Sequence, residues 1–273
     1  MSDTENKASV AAETQEPAAP VDPAIREMMD AGVFFGRTKA KTHPRVKQHI
    51  IANRNGLDII NLEKTQETLQ AALAFVQERI ARGAHAILVG TQPPANETLK
   101  KLGAEFSVPA VTLRWLGGTL TNYRIISQRL EYFKKLKSDL ATNAFSGYTK
   151  KEQLDLQKEA TKMAEVFSGL EAMAARPDLL IVVDPVFHKT AVAEANRLGI
   201  PTVALSNTDA DPDHVEHSVL GNTKARTAII WFLEQIAGAI RVGRRELESN
   251  KAAATAAAAL KETAPQEAPK SDV

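Results

Sequence analysis

The residues most able to do chemistry in this sequence form a run of cations at positions 32–56, which we call the basic segment. It reads GVFFGRTKAKTHPRVKQHIIANRNG and contains no acidic residue. Its cations are Arg37, Lys39, Lys41, Arg45, Lys47 and Arg54. Six cations without a neighbouring acid, in a segment interrupted by Pro44, are not typical of a salt-bridged helix face. They favour binding to the phosphates of a polyanion, and a solvated loop without a partner is the alternative.

The turn RWLGGTLTNYR, at residues 114–124, is a second candidate for binding anions. Two glycines in front of a helix commonly leave backbone N–H groups free to bind an anion. Arg114 and Arg124 add cations, and Trp115 adds a ring that could stack on a base. A tight turn that only leads the chain from strand to helix is an equally favoured interpretation. We call this segment the Gly-Gly turn.

The loop NTDADPDHVEH could instead hold a metal ion or a phosphorylated small molecule. Its candidate ligands are Asp209, Asp211, Asp213, His214 and His217. An EF-hand needs glycine at the sixth position and glutamate at the twelfth, where this loop has His214 and Leu220. The loop follows a predicted strand, where α/β proteins bind ligands. A nucleotide or sugar-phosphate protein that uses residues 206–217 is therefore the main alternative function.

Signatures of catalysis are absent from the sequence. It contains no G-x-G-x-x-G turn, no G-x-x-x-x-G-K-[ST] loop and no nucleophile elbow. Pro93 and Pro94 follow a predicted strand at the place where a phosphate-binding turn would need glycine. The chain has no cysteine, which excludes disulfides and cysteine-ligated zinc. We therefore predict no enzyme activity, no cofactor and no metal.

Alternating strands and helices must position these residues. Asn55-Gly56 between two β-rich runs predicts a hairpin. The other predicted strands are HAILVG, VPAVTL, PDLLIVVD and IPTVALSN. The predicted helices are LEKTQETLQAALAFVQERIARG, ETLKKLG ending at Gly103, KTAVAEANRLG and TKARTAIIWFLEQIAGAIRVGRREL. Continuous apolar strands that alternate with helices predict a parallel sheet covered on both faces.

Residues 119–175 interrupt this alternation, because two long helical patterns follow each other without a strand. Their apolar spacing by threes and fours, with Lys137 at one seam position, predicts an antiparallel coiled-coil hairpin. The predicted sheet domain then comprises residues 24–118 and 176–245. We expect residues 1–23 to be a disordered acidic arm and residues 246–273 an Ala-rich, partly disordered tail.

The charge distribution favours a polyanionic partner. The chain of 273 residues has a net charge of +1, but residues 1–22 contribute −4 and residues 246–273 contribute −2. The body between them is therefore +7. No stretch approaches the roughly 18 apolar residues of a membrane span, and the first residues lack the pattern of a secretory signal. We expect a cytoplasmic protein with no membrane partner.

Several motifs, in this order along the chain, resemble one known family. They are AGVFFGRTKAKTHPRVKQHI, NRNGLDIINLEKT, ILVGTQ, RWLGGTLTNYRII, PDLLIVVDP and EANRLGIPTVALSNTDADPD. Together they are similar to bacterial small-subunit ribosomal protein two, the S-two family, over about residues 24–245. The resemblance implies a Rossmann-like (flavodoxin-like) parallel sheet with helices on both faces and an inserted antiparallel coiled-coil hairpin.

The same resemblance implies a non-catalytic constituent of the 30S subunit that contacts 16S ribosomal RNA between head and body. Neighbouring ribosomal proteins, including the mRNA-binding protein S-one, would be its partners, and it would not form a homo-oligomer. Carried onto this sequence, residues 36–47 would face RNA and the Gly-Gly turn would lie at the base of the hairpin. A third alternative is an adaptor that binds proteins and no RNA through its hairpin.

Some positions depart from the family pattern. Members commonly have GVHFGH, and Phe34 and Arg37 replace both histidines here. The usual VDPKKEH reads VDPVFHK, and Asn207 replaces an acid. These changes argue against a metal held by that His and Asp set, and they leave the predicted fold and RNA partner unaffected.

Overall fold

The computed structural model describes residues 22–262 of the chain, with side chains described as far as residue 252. Most of the predicted N-terminal arm and the end of the predicted tail lie outside the described residues. The strands are β1 (Phe35–Thr38), β2 (Ile50–Arg54), β3 (Leu57–Ile60), β4 (Ala86–Val89), β5 (Ala110–Val111), β6 (Leu179–Val183), β7 (Thr202–Ser206) and β8 (His217–Leu220). The helices are α1 (Pro23–Asp30), α2 (Leu62–Ala81), α3 (Pro93–Glu105), α4 (Tyr123–Ala141), α5 (Lys150–Phe167), α6 (Lys189–Leu198) and α7 (Arg226–Glu262).

A parallel five-stranded sheet forms the centre of the fold. Its strand order is β5-β4-β6-β7-β8, and every neighbouring pair is parallel. Counted along the chain within this sheet, the order corresponds to the flavodoxin-like arrangement 2-1-3-4-5. The predicted α/β fold with a parallel sheet between helices is therefore confirmed. All the carboxyl ends of these strands lie at one edge, which we call the carboxyl edge.

Two apolar clusters cover the faces of the sheet. Along β6, Leu179 and Ile181 face the cluster built with α2, α3 and α7, whereas Leu180 and Val182 face the cluster built with α4, α5 and α6. Successive side chains of a strand point to opposite faces, so a strand covered on both sides is apolar throughout. Every residue of β6 and β7 is accordingly buried.

Local sequence signals explain where α2 begins and how closely it packs. Asn61 caps the helix, since its Oδ1 accepts hydrogen bonds from the backbone N–H of Glu63 at 2.9 Å and of Lys64 at 3.4 Å. Further along, a Cβ at Gly243 of α7 would lie 2.7 Å from the carbonyl oxygen of Gln77. Glycine therefore allows α7 to approach α2 more closely than any other residue would.

A smaller antiparallel sheet has the strand order β1-β3-β2. Asn55 and Gly56 join β2 to β3 with φ of 51° and 78°, which confirms the predicted hairpin. The sequence reasoning missed α1, β1 and β8, because all three are short and their apolar pattern covers at most eight residues.

Two predicted details of the helices are wrong. Helix α3 continues to Glu105, past its predicted end at Gly103. A Cβ at Gly103 would lie 2.8 Å from the Cβ of Ala110, so this glycine allows close packing against β5 and does not end the helix. In α4, Leu136 is buried at the position predicted for Lys137, whose ammonium group lies outside and contacts Glu171 at 2.9 Å.

Helices α4 and α5 follow each other without an intervening strand, and they contact one another. Phe133 and Phe167 stack with ring centroids 6.2 Å apart, where the pair joins the core. A capping box begins α5, because Thr149 and Glu152 each accept a hydrogen bond from the other's backbone N–H. None of the described helices is long and apolar enough to cross a lipid bilayer.

Candidate nucleic-acid interface

The basic segment lies across the carboxyl edge of the large sheet. It runs through β1, two 3₁₀ turns (Lys39–Lys41 and Pro44–His49) and β2. The backbone N–H of His43 donates to the carbonyl of Thr208 at 2.8 Å, and the N–H of Arg37 donates to Thr208 Oγ1 at 2.9 Å. A Cβ at Gly36 would lie 2.8 Å from Thr208 Cγ2, so glycine allows this close approach. The loop after β7 thus holds the start of the basic segment in place.

Arg37 is not an unopposed cation, although no acid is near it in the sequence. Its Nε lies 3.1 Å from Asp209 Oδ2, and its guanidinium also lies 3.4 Å from Asp184 Oδ2. The side chain is only 22% exposed, so little of its charged surface faces solvent. Arg37 therefore attaches the basic segment to the ends of β6 and β7.

Asp184 is the centre of this buried polar network. It is 2% exposed, and its Oδ2 also accepts hydrogen bonds from Gln92 at 2.8 Å and Thr223 at 3.2 Å. Its Oδ1 accepts from the backbone N–H of Phe187 at 3.1 Å. In this strand order, the switch point between β4 and β6 is where related folds bind small ligands. Here the chain's own side chains fill that place.

His188 completes the network behind Asp184 and is buried. Its Nε2 accepts a hydrogen bond from the backbone N–H of Thr91 at 3.0 Å, so Nε2 carries no proton. The proton then lies on Nδ1, which donates to the carbonyl of Asp184 at 3.0 Å. Burial lowers the pKa of His188 below its ordinary value, and contacts with Asp184 only partly offset this. The ring is therefore a neutral structural group.

The three aspartates of the 206–217 loop pair with arginines. Arg45 lies 3.5 Å from Asp211 and also pairs with Asp213. His217 belongs to β8, and its ring lies 4.3 Å from that of Phe75, whereas His214 lies on an exposed turn. Within residues 22–262 no cluster of three or more His, Asp or Glu side chains is placed to hold a metal ion. The proposed ligands are thus spread over an ion-paired loop.

Arg45 is exposed but ion-paired, and four further cations of the basic segment are exposed, in contrast to Arg37. They are Lys39, Lys41, Lys47 and Arg54. None of the four forms an ion pair with an acid in the part of the chain that the structure describes. They form the part of the basic segment that presents positive charge to solvent.

An internal carboxylate occupies the anion site of the Gly-Gly turn. Glu194 of α6 accepts hydrogen bonds from the backbone N–H groups of Gly118 at 2.8 Å, Leu120 at 3.0 Å and Thr121 at 3.2 Å. It also accepts from the indole N–H of Trp115 at 3.1 Å. Burial alone would raise the pKa of Glu194, but these hydrogen bonds lower it below its usual range. The turn binds an anion that the protein itself supplies.

The side chains predicted to bind RNA at this turn therefore differ in accessibility. Trp115 is half-buried, packs against the second apolar cluster and uses its indole N–H on Glu194. Arg114 and Arg124 are exposed, and neither forms an ion pair with a described acidic side chain. The turn presents two arginines, and Glu194 already occupies the backbone N–H groups of Gly118, Leu120 and Thr121.

The sequence profile of the family described as "Ribosomal protein S2" matches residues 28–243. The chain belongs to this family. The "Small ribosomal subunit protein uS2" of Corynebacterium diphtheriae is 39% identical over 236 residues, which cover 86% of this chain and 89% of that protein. Proteins of the same name from Corynebacterium urealyticum and Corynebacterium jeikeium are 38% and 37% identical, covering 86% and 88% of this chain and 88% of each relative. The predicted S-two resemblance is confirmed.

The structure shows what Arg37 does at a position where the family resemblance implies a histidine. Its guanidinium is a permanent cation between the carboxylates of Asp184 and Asp209. The sequence reasoning found Arg37 but missed Asp184, His188 and Glu194. Only Asp184 carried a signal, as the acidic last residue of the predicted strand PDLLIVVD.

Proposed function

We propose that this S2-family chain is a structural, non-catalytic constituent of the small ribosomal subunit and that its basic segment contacts 16S ribosomal RNA. The family match over residues 28–243 supports the first part. The exposed, unpaired cations of the basic segment support the second. A protein that only builds a particle needs no vacant catalytic pocket, and the filled switch point agrees with this.

The predicted RNA-binding residues divide into two roles in this proposal. Lys39, Lys41, Lys47 and Arg54 bind phosphates directly, because they are exposed and lack an acidic partner among the described residues. Arg37 and Arg45 hold the segment in position through their carboxylate partners. Such contacts fix the register of a protein on RNA and carry no sequence information.

The Gly-Gly turn supplies a second contact in this proposal. Arg114 and Arg124 bind phosphates, and Trp115 supports them from the half-buried side of the turn. Glu194 keeps the turn in one conformation, so both arginines are presented at fixed positions. Preorganised cations lose less conformational entropy on binding than mobile ones.

The division of the chain and the nature of the hairpin are also proposals. Residues 24–118 and 176–245 form the sheet domain, and residues 119–175 form an inserted coiled-coil arm. The buried stripe of α4 supports this, since Ile126, Leu130, Phe133 and Leu136 repeat at helical spacing toward the second helix. The acidic N-terminal arm (1–23) and the Ala-rich tail (246–273) complete the proposed organisation.

We further propose that the protein works in cytoplasmic ribosomes, between the head and body of the 30S particle. Neighbouring ribosomal proteins, including S-one where it is present, are the other partners. Names of relatives that contain "small ribosomal subunit protein" support the particle assignment. Sedimentation of the native protein tests it directly: we expect the chain with 30S particles, and a chain found only at the top of the gradient would contradict it.

A charge-matched pair of variants tests the RNA contact. Lys39→Gln/Lys41→Gln removes two exposed cations of the basic segment, and Lys100→Gln/Lys101→Gln removes two lysines from exposed positions on α3. Each phosphate contact contributes about 0.7–0.9 to the slope of log K against log salt. We expect the first variant to lower that slope for 16S RNA by about 1.5 and the second to leave it unchanged. Equal slopes in the two variants would refute the assignment to the basic segment.

A further inference from the structure

Phe187 presents its ring to solvent at the carboxyl edge of the large sheet, shortly after β6 ends at Val183. The side chain is 60% exposed, more than any other aromatic side chain in the part of the chain that the structure describes. Val186 beside it is 45% exposed and, with Lys189, lines an adjoining groove of about 550 Å³. Exposed apolar groups that adjoin polar residues in this way mark a binding surface more often than isolated side chains do.

The turn between β6 and α6 holds this ring at a fixed place, although the ring itself is exposed. Asp184 has a φ of 65°, a left-handed conformation that is uncommon for a residue other than glycine and that persists where the surrounding structure enforces it. Its Oδ1 accepts a hydrogen bond from the backbone N–H of Phe187 at 3.1 Å. The buried ring of His188 meets the Phe187 ring edge-on, with centroids 5.1 Å apart. Two buried polar side chains therefore orient one exposed aromatic ring.

Cations adjoin this turn both in the sequence and in space. The guanidinium of Arg37 lies 3.4 Å from Asp184 Oδ2, so the basic segment and Phe187 are attached to the same carboxylate. Lys189 is exposed and forms no ion pair with an acid among the described residues. A nucleotide offers both of the matching groups, since its base stacks on an aromatic ring and its phosphate binds a cation. A partner that was only apolar would leave Lys189 unused.

We propose that Phe187 stacks on an unpaired base of the bound RNA while Lys189 contacts an adjacent phosphate. This inference rests on the proposed RNA binding and makes it more specific, because the carboxyl edge then takes single-stranded RNA. Stacking on a side chain needs a base that is splayed out of its helix, so duplex RNA does not fit. Every base has a π-face, and the contact therefore carries little sequence preference.

Two RNA probes test this contact with the full-length chain: single-stranded poly(A) and the poly(A)·poly(U) duplex. Phe187→Leu removes the ring but keeps an apolar side chain, whereas Phe187→Tyr keeps the ring. We expect Phe187→Leu to weaken the binding of poly(A) about tenfold and to leave the affinity for the duplex within about twofold of wild type. Phe187→Tyr should bind both probes within about twofold of wild type, because its ring still stacks.

The dependence of binding on salt separates this contact from that of the basic segment. Neither substitution of Phe187 changes a charge, so the slope of log K against log salt should keep its wild-type value. Lys39→Gln/Lys41→Gln should lower that slope with both probes. A weakened Phe187→Leu together with an unchanged slope in the lysine variant would support the stacking and refute the contact of the basic segment.

Three results would overturn the stacking itself. The first is an unchanged affinity of Phe187→Leu for poly(A), even where the lysine variant behaves as expected. The second is an equal loss with both probes, because the ring would then only support the turn. The third is normal binding of poly(A) together with poor incorporation of Phe187→Leu into reconstituted 30S particles, which would assign the patch to a protein partner. Thermal unfolding is the control, and both variants should keep the wild-type Tm because the side chain is mostly exposed.

Discussion

Replacing Glu194 with glutamine should destabilise the protein far more than an ordinary loss of one charge. The Glu194 carboxylate accepts hydrogen bonds from the N–H groups of Gly118, Leu120 and Thr121 and from the Trp115 indole. Glutamine has a single acceptor oxygen, so its NH₂ group must face donors that previously bound the second carboxylate oxygen. Those backbone N–H groups then lack an acceptor at a site where Glu194 is buried.

The size of the effect follows from these contacts. A hydrogen bond to a charged group contributes about 1.5–3 kcal/mol. The substitution leaves two backbone N–H groups without an acceptor and weakens the other two hydrogen bonds to this side chain. Because neighbouring contributions are not additive, we expect a total loss of about 2–4 kcal/mol in the free energy of unfolding. For a chain of this size that corresponds to a fall in Tm of roughly 5–15 °C.

Denaturant and thermal unfolding of Glu194→Gln measure this loss, and in a Trp231→Phe background the emission of Trp115 reports on the turn itself. Glu97→Gln is the matched control, since the Glu97 carboxylate pairs with Lys101 and Arg226 on the exposed surface. We expect only a small change for the control, because exposed ion pairs contribute little. Equal stabilities for the two variants, or unchanged Trp115 emission, would refute the role assigned to Glu194.

Two further predictions concern the network at the carboxyl edge. Arg37→Ala leaves Asp184 and Asp209 without their cation, so we expect chemical denaturation to show a loss of about 2–3 kcal/mol in the free energy of unfolding. Arg45→Ala, which removes a more exposed ion pair, should lower the free energy of unfolding clearly less. The reverse order would contradict the anchoring role of Arg37. For His188, burial lowers the folded-state pKa below the ordinary value of 6.5. The contribution of the neutral ring to the free energy of unfolding is therefore complete above pH 6.5 and is lost as the pH falls below that value. Stability should therefore fall by up to about 1.4 kcal/mol per pH unit from this group, and His188→Gln should flatten the profile below pH 6.5. An unchanged slope would contradict the lowered pKa.

The candidate RNA interface could be predicted only in part from the pattern of charges in the sequence. The acid-free run marked the stretch of the chain that carries the exposed cations, because charge runs are local. It did not distinguish Lys39 and Lys41, which stay exposed, from Arg37, which pairs with acids. Asp184 is 147 residues away from Arg37 in the sequence, and no local pattern connects them.

The sequence by itself determined the alternation of strands and helices, the Asn55-Gly56 hairpin and membership of the S2 family. Each of these depends on neighbouring residues, on helical or strand periodicity, or on motifs read in order. Only the tertiary structure decided that Glu194 fills the Gly-Gly turn and that Arg37 faces inward. Hydrogen bonds and ion pairs act over a few ångströms in space, so their partners are known only once the sheet brings distant segments to the same edge.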